Sequence, residues 1–246
     1  MSTKRSEKSI KQKTNLRHWV SFGIIFVLIP LLVVAGIWLF DDRSYTVISM
    51  LLALLACVPF FLMFEHRRPG ARDIVVITVM SALSAASRIV FAWLPSFKPV
   101  TAMSIIAGTH FGPESGFLTG AISAIVSNIF FGQGPWTPFQ MLTWGLIGFG
   151  AGLFEKLGWM KNKIFLYSYG FVAGFAFSAL LNVWTTVTVD GGFYWSKYWT
   201  LFVTALPFSL VYAVSNVIFL FLLSRPIGRK LERVKTKYGL MEKDKG

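Results

Sequence analysis

Charge is scarce in this chain, and acidic charge scarcest: charged residues fill 14% of its 246 positions, with 11 Asp and Glu against 24 Lys and Arg. A soluble globular domain carries about 25% charged residues, so water is not the main solvent here. The single cysteine, Cys57, lies inside an apolar run, which excludes an intrachain disulfide and a cysteine-built metal site. Chemistry on phosphorylated or prenyl substrates needs carboxylate clusters to hold Mg²⁺, yet Glu114 stands alone among the inner apolar segments. His18, His66 and His110 are far apart, with no acid or nucleophile spaced to complete a triad. No Gly-x-x-x-x-Gly-Lys-Ser/Thr stretch occurs, so the chain has no P-loop for ATP hydrolysis. An ion-coupled carrier wants a buried acid near the midplane, and none falls there. No catalytic or metal-ligating residue is read from this sequence.

Apolar sequence, in contrast, is plentiful, with hydrophobic residues at 54% of positions. A helix needs roughly 20 apolar residues to cross the ~30 Å hydrocarbon layer. Eight runs approach or meet that length: 19–40, 45–64, 74–94, 100–111, 116–131, 139–154, 164–185 and 201–223. The first two form a hairpin about Asp41, Asp42, Arg43 and Ser44. The first run is longer than a signal-peptide core and no small-residue cleavage pattern follows it, so it is expected to stay as an anchor. Between the fourth and fifth runs, Pro113 removes a backbone donor and disfavours helix at Gly112, which predicts a tight turn.

Alternate loops divide the cations unevenly. One set, including both termini, holds 20 Lys and Arg; the other holds Arg43, Lys98 and Lys197; Arg88 alone lies within a run. Positive residues near span ends stay in the cytoplasm, so both termini are expected there, in a multi-pass protein of the cell membrane. The expected layout is a basic segment 1–18, an N-terminal transmembrane hairpin 19–64, a basic linker 65–72, a six-helix core 73–223 and a basic tail 224–246. The net charge of +13 would suit nucleic acid only on one exposed face or in a basic module. Here it is dispersed between apolar runs, and the tail from Arg225 to Lys237 is expected to meet anionic headgroups.

Polar residues inside a span must pack inward or line a cavity. Arg88, Asn128, Gln140 and Asn182 all fall towards the outer side. Each amide by itself is explained by helix-to-helix hydrogen bonding, but the four at similar depth point to an outward-open pocket for a polar molecule. Two loops add aromatic and turn residues, Phe131 to Pro138 with Gln133 and Trp136, and Thr186 to Trp199 with Asp190 and Tyr194. Gly132 and Gly134 permit positive φ and Pro135 fixes the next turn, so these loops are expected to close over a ligand as a lid. Glycines at four-residue spacing, Gly108, Gly112, Gly116 and Gly120 and then Gly148 and Gly152, are expected to bring helix backbones together within this chain.

Several motifs, in order, carry a family resemblance over Ala71 to Leu223. They are Ala71-Arg-Asp-Ile through Arg88, Phe97-Lys-Pro-Val-Thr101, Ala107-Gly with Phe111-Gly-Pro-Glu114, and Gly132-Gln-Gly-Pro-Trp-Thr-Pro-Phe-Gln140 followed by Trp144-Gly. This segment resembles the substrate-binding S components of energy-coupling factor (ECF) vitamin transporters. The resemblance implies an all-α six-helix membrane bundle, to which the hairpin 19–64 is an addition, making eight spans. It implies a vitamin captured outside, with no covalently bound cofactor, and partners comprising a transmembrane coupling (T) subunit and two cytoplasmic ATPases that alone use ATP. It implies that Ala82 and Ala86, matching an Ala-x-x-x-Ala pattern, dock on the membrane partner, and that the subunit topples to release its vitamin inside. The Gly-Gln-Gly-Pro-Trp-Thr-Pro turn is similar to cobalamin-type S components. The substrate-binding residues expected on this reading are Arg88, Lys98, Asn128, Gln133, Trp136, Gln140, Trp144, Asn182, Asp190 and Tyr194.

The alternatives are an S component for another vitamin such as riboflavin or pantothenate, a membrane enzyme acting on a lipid or prenyl substrate, and a scaffold without a small ligand. The absent carboxylate cluster disfavours the enzyme. A scaffold would tolerate loss of Arg88, Asn128 and Gln140.

Overall fold

The computed structural model describes residues 45–66, 69–190 and 193–238. Among them run seven α-helices: α1 Tyr45–His66, α2 Ala71–Val90, α3 Val100–Phe111, α4 Pro113–Phe131, α5 Thr137–Lys156, α6 Lys163–Asp190 and α7 Trp195–Tyr238. A 3₁₀ turn at Trp159–Lys161 joins α5 to α6. The first arm of the expected hairpin, 19–40, lies outside the described residues. Four helices, α2, α4, α6 and α7, are long and apolar enough to cross a membrane, so eight spans are not established. The end where α2 finishes and α3 begins is called the outer end below, after the distribution of Lys and Arg.

Local chemistry sets the helix ends. The Gly70 amide donates to Asp73 Oδ2 at 2.9 Å, capping the start of α2. That helix stops at Val90, four residues before the expected Leu94, because Pro95 disfavours helix at the residue before it and 91–96 form turns. The expected turn at Pro113 is present: Gly112 adopts φ 93° and Pro113 opens α4 at a position needing no amide. The last two spans differ more. Helix α6 runs on to Asp190 and α7 begins at Trp195, so most of the expected loop from Thr186 to Trp199 is helical. Helix α7 has 44 residues and is therefore about 66 Å long. The segment read as a separate tail begins as its continuation through Pro226.

The glycines are packing residues. A Cβ on Gly108 or on Gly116 would strike the Gly148 carbonyl, one on Gly152 would strike Pro113, and one on Gly120 would strike the backbone at Trp144. Helices α3, α4 and α5 thus touch backbone to backbone, the contact that small residues permit where lipid supplies no hydrophobic drive. Ten of the 12 residues of α3 are buried, which makes it the axis of the bundle. Helix α1 packs onto this centre, with Phe60 stacked on Phe117 at 4.1 Å and edge-on to Phe149 at 4.9 Å. Gly174 against Ala213, and Asn216 Nδ2 donating to the Gly170 carbonyl at 3.1 Å, join α6 to α7.

The rim is apolar. Along α2, Val75, Val79, Ala82, Leu83, Ala86 and Val90 are exposed and recur at helical spacing on one face.

Candidate functional site

A connected polar cluster occupies the outer end between α2, α4, α5 and α7. Arg88, in the last turn of α2, donates from Nη1 to Ser127 Oγ at 2.6 Å and to Asn128 Oδ1 at 2.7 Å. Asn128, fully buried on α4, donates from Nδ2 to Thr137 Oγ1 at 2.9 Å and to Gln140 Oε1 at 2.8 Å. Thr137 Oγ1 in turn donates to Gln133 Oε1 at 3.1 Å. Three helices and the turn before α5 are thereby tied by side chains that water would otherwise solvate. In a low-dielectric setting each such bond is stronger and each missing partner costlier.

Aromatic rings frame the guanidinium. Its central carbon lies 4.3 Å from the Phe131 ring centre and 5.1 Å from that of Trp144, both within cation–π range. Trp144 is held on two sides: it stacks on Phe177 at 5.1 Å, and its Nε1 donates to Tyr212 Oη at 2.9 Å. Tyr212 shares a further hydrogen bond with Thr101 at the start of α3. The indole is a rigid platform beneath the cation. Lys98 donates to the Phe91 carbonyl at 2.6 Å and sits 5.7 Å from the same Phe131 ring.

Helix α6 brings a second group of polar atoms. Asn182 Nδ2, Trp184 Nε1 and Thr188 Oγ1 are buried with no hydrogen-bond partner among the described residues, and the Trp184 ring meets Trp136 edge-on at 5.9 Å. Buried donors are satisfied in the great majority of cases, so these three ask for an acceptor.

Of the ten substrate-binding residues expected from sequence, the structure joins Arg88, Lys98, Asn128, Gln133, Gln140 and Trp144 in one cluster, and Trp136 reaches Asn182's helix through Trp184. Tyr194 stays apart, exposed and facing Lys197 at 5.4 Å. Asp190 ends α6, with its side chain outside the described residues. The polar side chains expected to line an open pocket are hydrogen-bonded to one another. Gly132, at φ 90°, supplies the left-handed residue of the turn before α5, while a Cβ on Gly134 would collide with the Trp136 ring.

Sequence reasoning missed Tyr212, Thr101, Ser127, Thr137 and Phe177. Thr101 and Thr137 stood within the motifs quoted for the family and carried a signal. A tyrosine in the apolar run 201–223 carried none.

Comparison with known proteins places the chain. The family described as ECF-type riboflavin transporter, S component, matches residues 70–229. The chain belongs to this family. S components are membrane proteins that bind substrate for an importer, and the four long apolar helices agree with that setting. This S component is also similar to UPF0397 proteins. One from Vibrio atlanticus is 33% identical over 104 residues, covering 39% of this chain and 53% of that protein. Another from Aliivibrio fischeri shows the same figures, 33% over 104 residues. A third, from Aliivibrio salmonicida, is 31% identical over 107 residues, 40% of this chain and 56% of its own length. The chain spans about half the length of these curated relatives. No solved structure matches it.

Proposed function

We propose that this S component captures a vitamin at the outer cluster and delivers it inward with a transmembrane T subunit and two cytoplasmic ATPases. One observation carries the reading: the Arg88–Asn128–Gln140 network and the unpartnered donors of Asn182, Trp184 and Thr188 gather polar atoms at one end of an otherwise apolar bundle. A bundle that needed only stability would satisfy such donors or omit them.

Two vitamins stand first by likeness. Cobalamin is favoured by the Gly132 to Pro138 turn, riboflavin by the description of the matching family. The absence of a P-loop and the dearth of carboxylates leave the energy to partner subunits. Orientation follows the distribution of Lys and Arg, with both termini cytoplasmic in a bacterial plasma membrane. Ala82 and Ala86, exposed on one face of α2, form the close-packing surface for the T subunit.

The experiment is titration of the purified full chain with cobalamin, riboflavin, pantothenate and folate. Saturable binding of one of them is expected. Absence of binding to any vitamin or vitamin precursor sinks the reading.

A further inference from the structure

Among the described residues, the charges of the outer cluster do not balance. Arg88 and Lys98 lie 4.3 and 5.7 Å from the centre of the same Phe131 ring, which keeps them within about 10 Å of each other. Neither makes an ion pair among the described residues. The carboxylates whose side chains are described, Glu65, Asp73, Glu114, Glu155 and Glu232, belong to the opposite end of the bundle. Asp73 shows the distance: it is 15 residues before Arg88 on the same helix, which is about 22 Å.

Other sources of negative potential fall short. The C-terminus of α2 offers Arg88 about half a unit of charge, and the N-terminus of α3, starting at Val100 just after Lys98, opposes it with a similar positive charge. The Ser127 hydroxyl and Asn128 carbonyl accept only from Nη1, leaving Nη2 and Nε of Arg88 without a hydrogen bond among the described residues. The Lys98 ammonium bonds one carbonyl and keeps further donors. A half-buried guanidinium with a free edge, beside an ammonium and on an aromatic floor, is a receptor for a planar or tetrahedral anion.

We infer that the molecule bound at the outer cluster carries an anionic group, a carboxylate or a phosphate, seated between Arg88 and Lys98. This rests on the reading of the cluster as the ligand site. It deepens that reading by ranking acidic vitamins and vitamin phosphates above uncharged ones, riboflavin included. The ring of such a ligand takes the place beside Trp136 and Trp184, whose indole donor, with Asn182 and Thr188, meets its neutral acceptors.

Matched pairs test the charge without changing the scaffold. The full chain in lipid nanodiscs is titrated with flavin mononucleotide against riboflavin for the phosphate, and with pantothenate against pantothenol for the carboxylate. In at least one pair the acidic member binds about tenfold or more tightly, and the pair identifies which anion is meant. Lys98→Gln, at the rim of the bundle, removes most of that preference with thermal stability unchanged; Arg88→Gln also removes most of it, weakens the neutral member slightly and lowers thermal stability, since Ser127 and Asn128 lose their donor. Equal affinity within both pairs overturns the inference, as does a preference that survives both substitutions. Each of those results leaves the S-component reading standing. Failure to bind any vitamin, charged or not, is the result that removes the reading itself.

Discussion

The two ends of the bundle treat charge differently. At the end opposite the outer cluster, acids and bases are interleaved. Asp73 caps α2, Glu114 opens α4 and Lys156 closes α5, each with the sign that its helix terminus favours. His110 Nδ1 stands 3.6 Å from Glu232 Oε2, and Lys235 donates to the His110 carbonyl at 3.2 Å, so the end of α7 is strapped to the end of α3. Gly228 makes room for the imidazole. At the outer end, Arg88 and Lys98 find amides, carbonyls and rings but no described carboxylate. One end holds described carboxylates among its cations. At the other, two cations have none described beside them.

That contrast can be broken in three ways. The largest effect is expected from Gly148→Leu, which drives a side chain into the Gly116 backbone where α3, α4 and α5 meet. Backbone cannot give way as a side chain does, so the cost sits at or above about 3 kcal/mol, the top of the usual overpacking range. Thermal unfolding in detergent should show both ends lost together; a variant that keeps its melting temperature would mean the helices are not in contact there.

Next come Ala82→Trp and Ala86→Trp. Both alanines are exposed on the outward face of α2, so vitamin uptake in cells should fall to background while the purified chain binds ligand as before. Equal loss of binding and uptake would contradict a docking role for this face.

The smallest expected effect compares the ends directly. Tyr212→Phe leaves the Trp144 Nε1 donor buried without its partner, at a cost of about 1–3 kcal/mol, and loosens the platform under Arg88, so affinity drops severalfold. Lys235→Ala, which cuts the strap at the other end, should leave affinity within error in the same titration. A drop for both would show the two ends to be coupled rather than separate.

Much of this was legible from residue order. Apolar runs located the helices, and Pro113 located one of their boundaries, because a missing amide and a fixed φ act locally. The depth of Arg88, Asn128 and Gln140 along their runs put them at one end, since helical rise converts position into height. The far ends of α6 and α7 were misread, because Trp, Tyr and Thr serve equally in an interfacial loop and in a helix emerging through the interface.

By itself, the sequence determined that this chain must live in a membrane, which segments are helical, and which end gathers the amides. These follow from hydropathy, chain chemistry and counting. Only the tertiary structure decided which donors meet which acceptors: that Asn128 bridges Arg88 to Gln140, that Tyr212 pins Trp144, and that Asn182, Trp184 and Thr188 are left over. Rotation of each helix about its axis settles those partnerships, and rotation is set by where glycines let backbones touch.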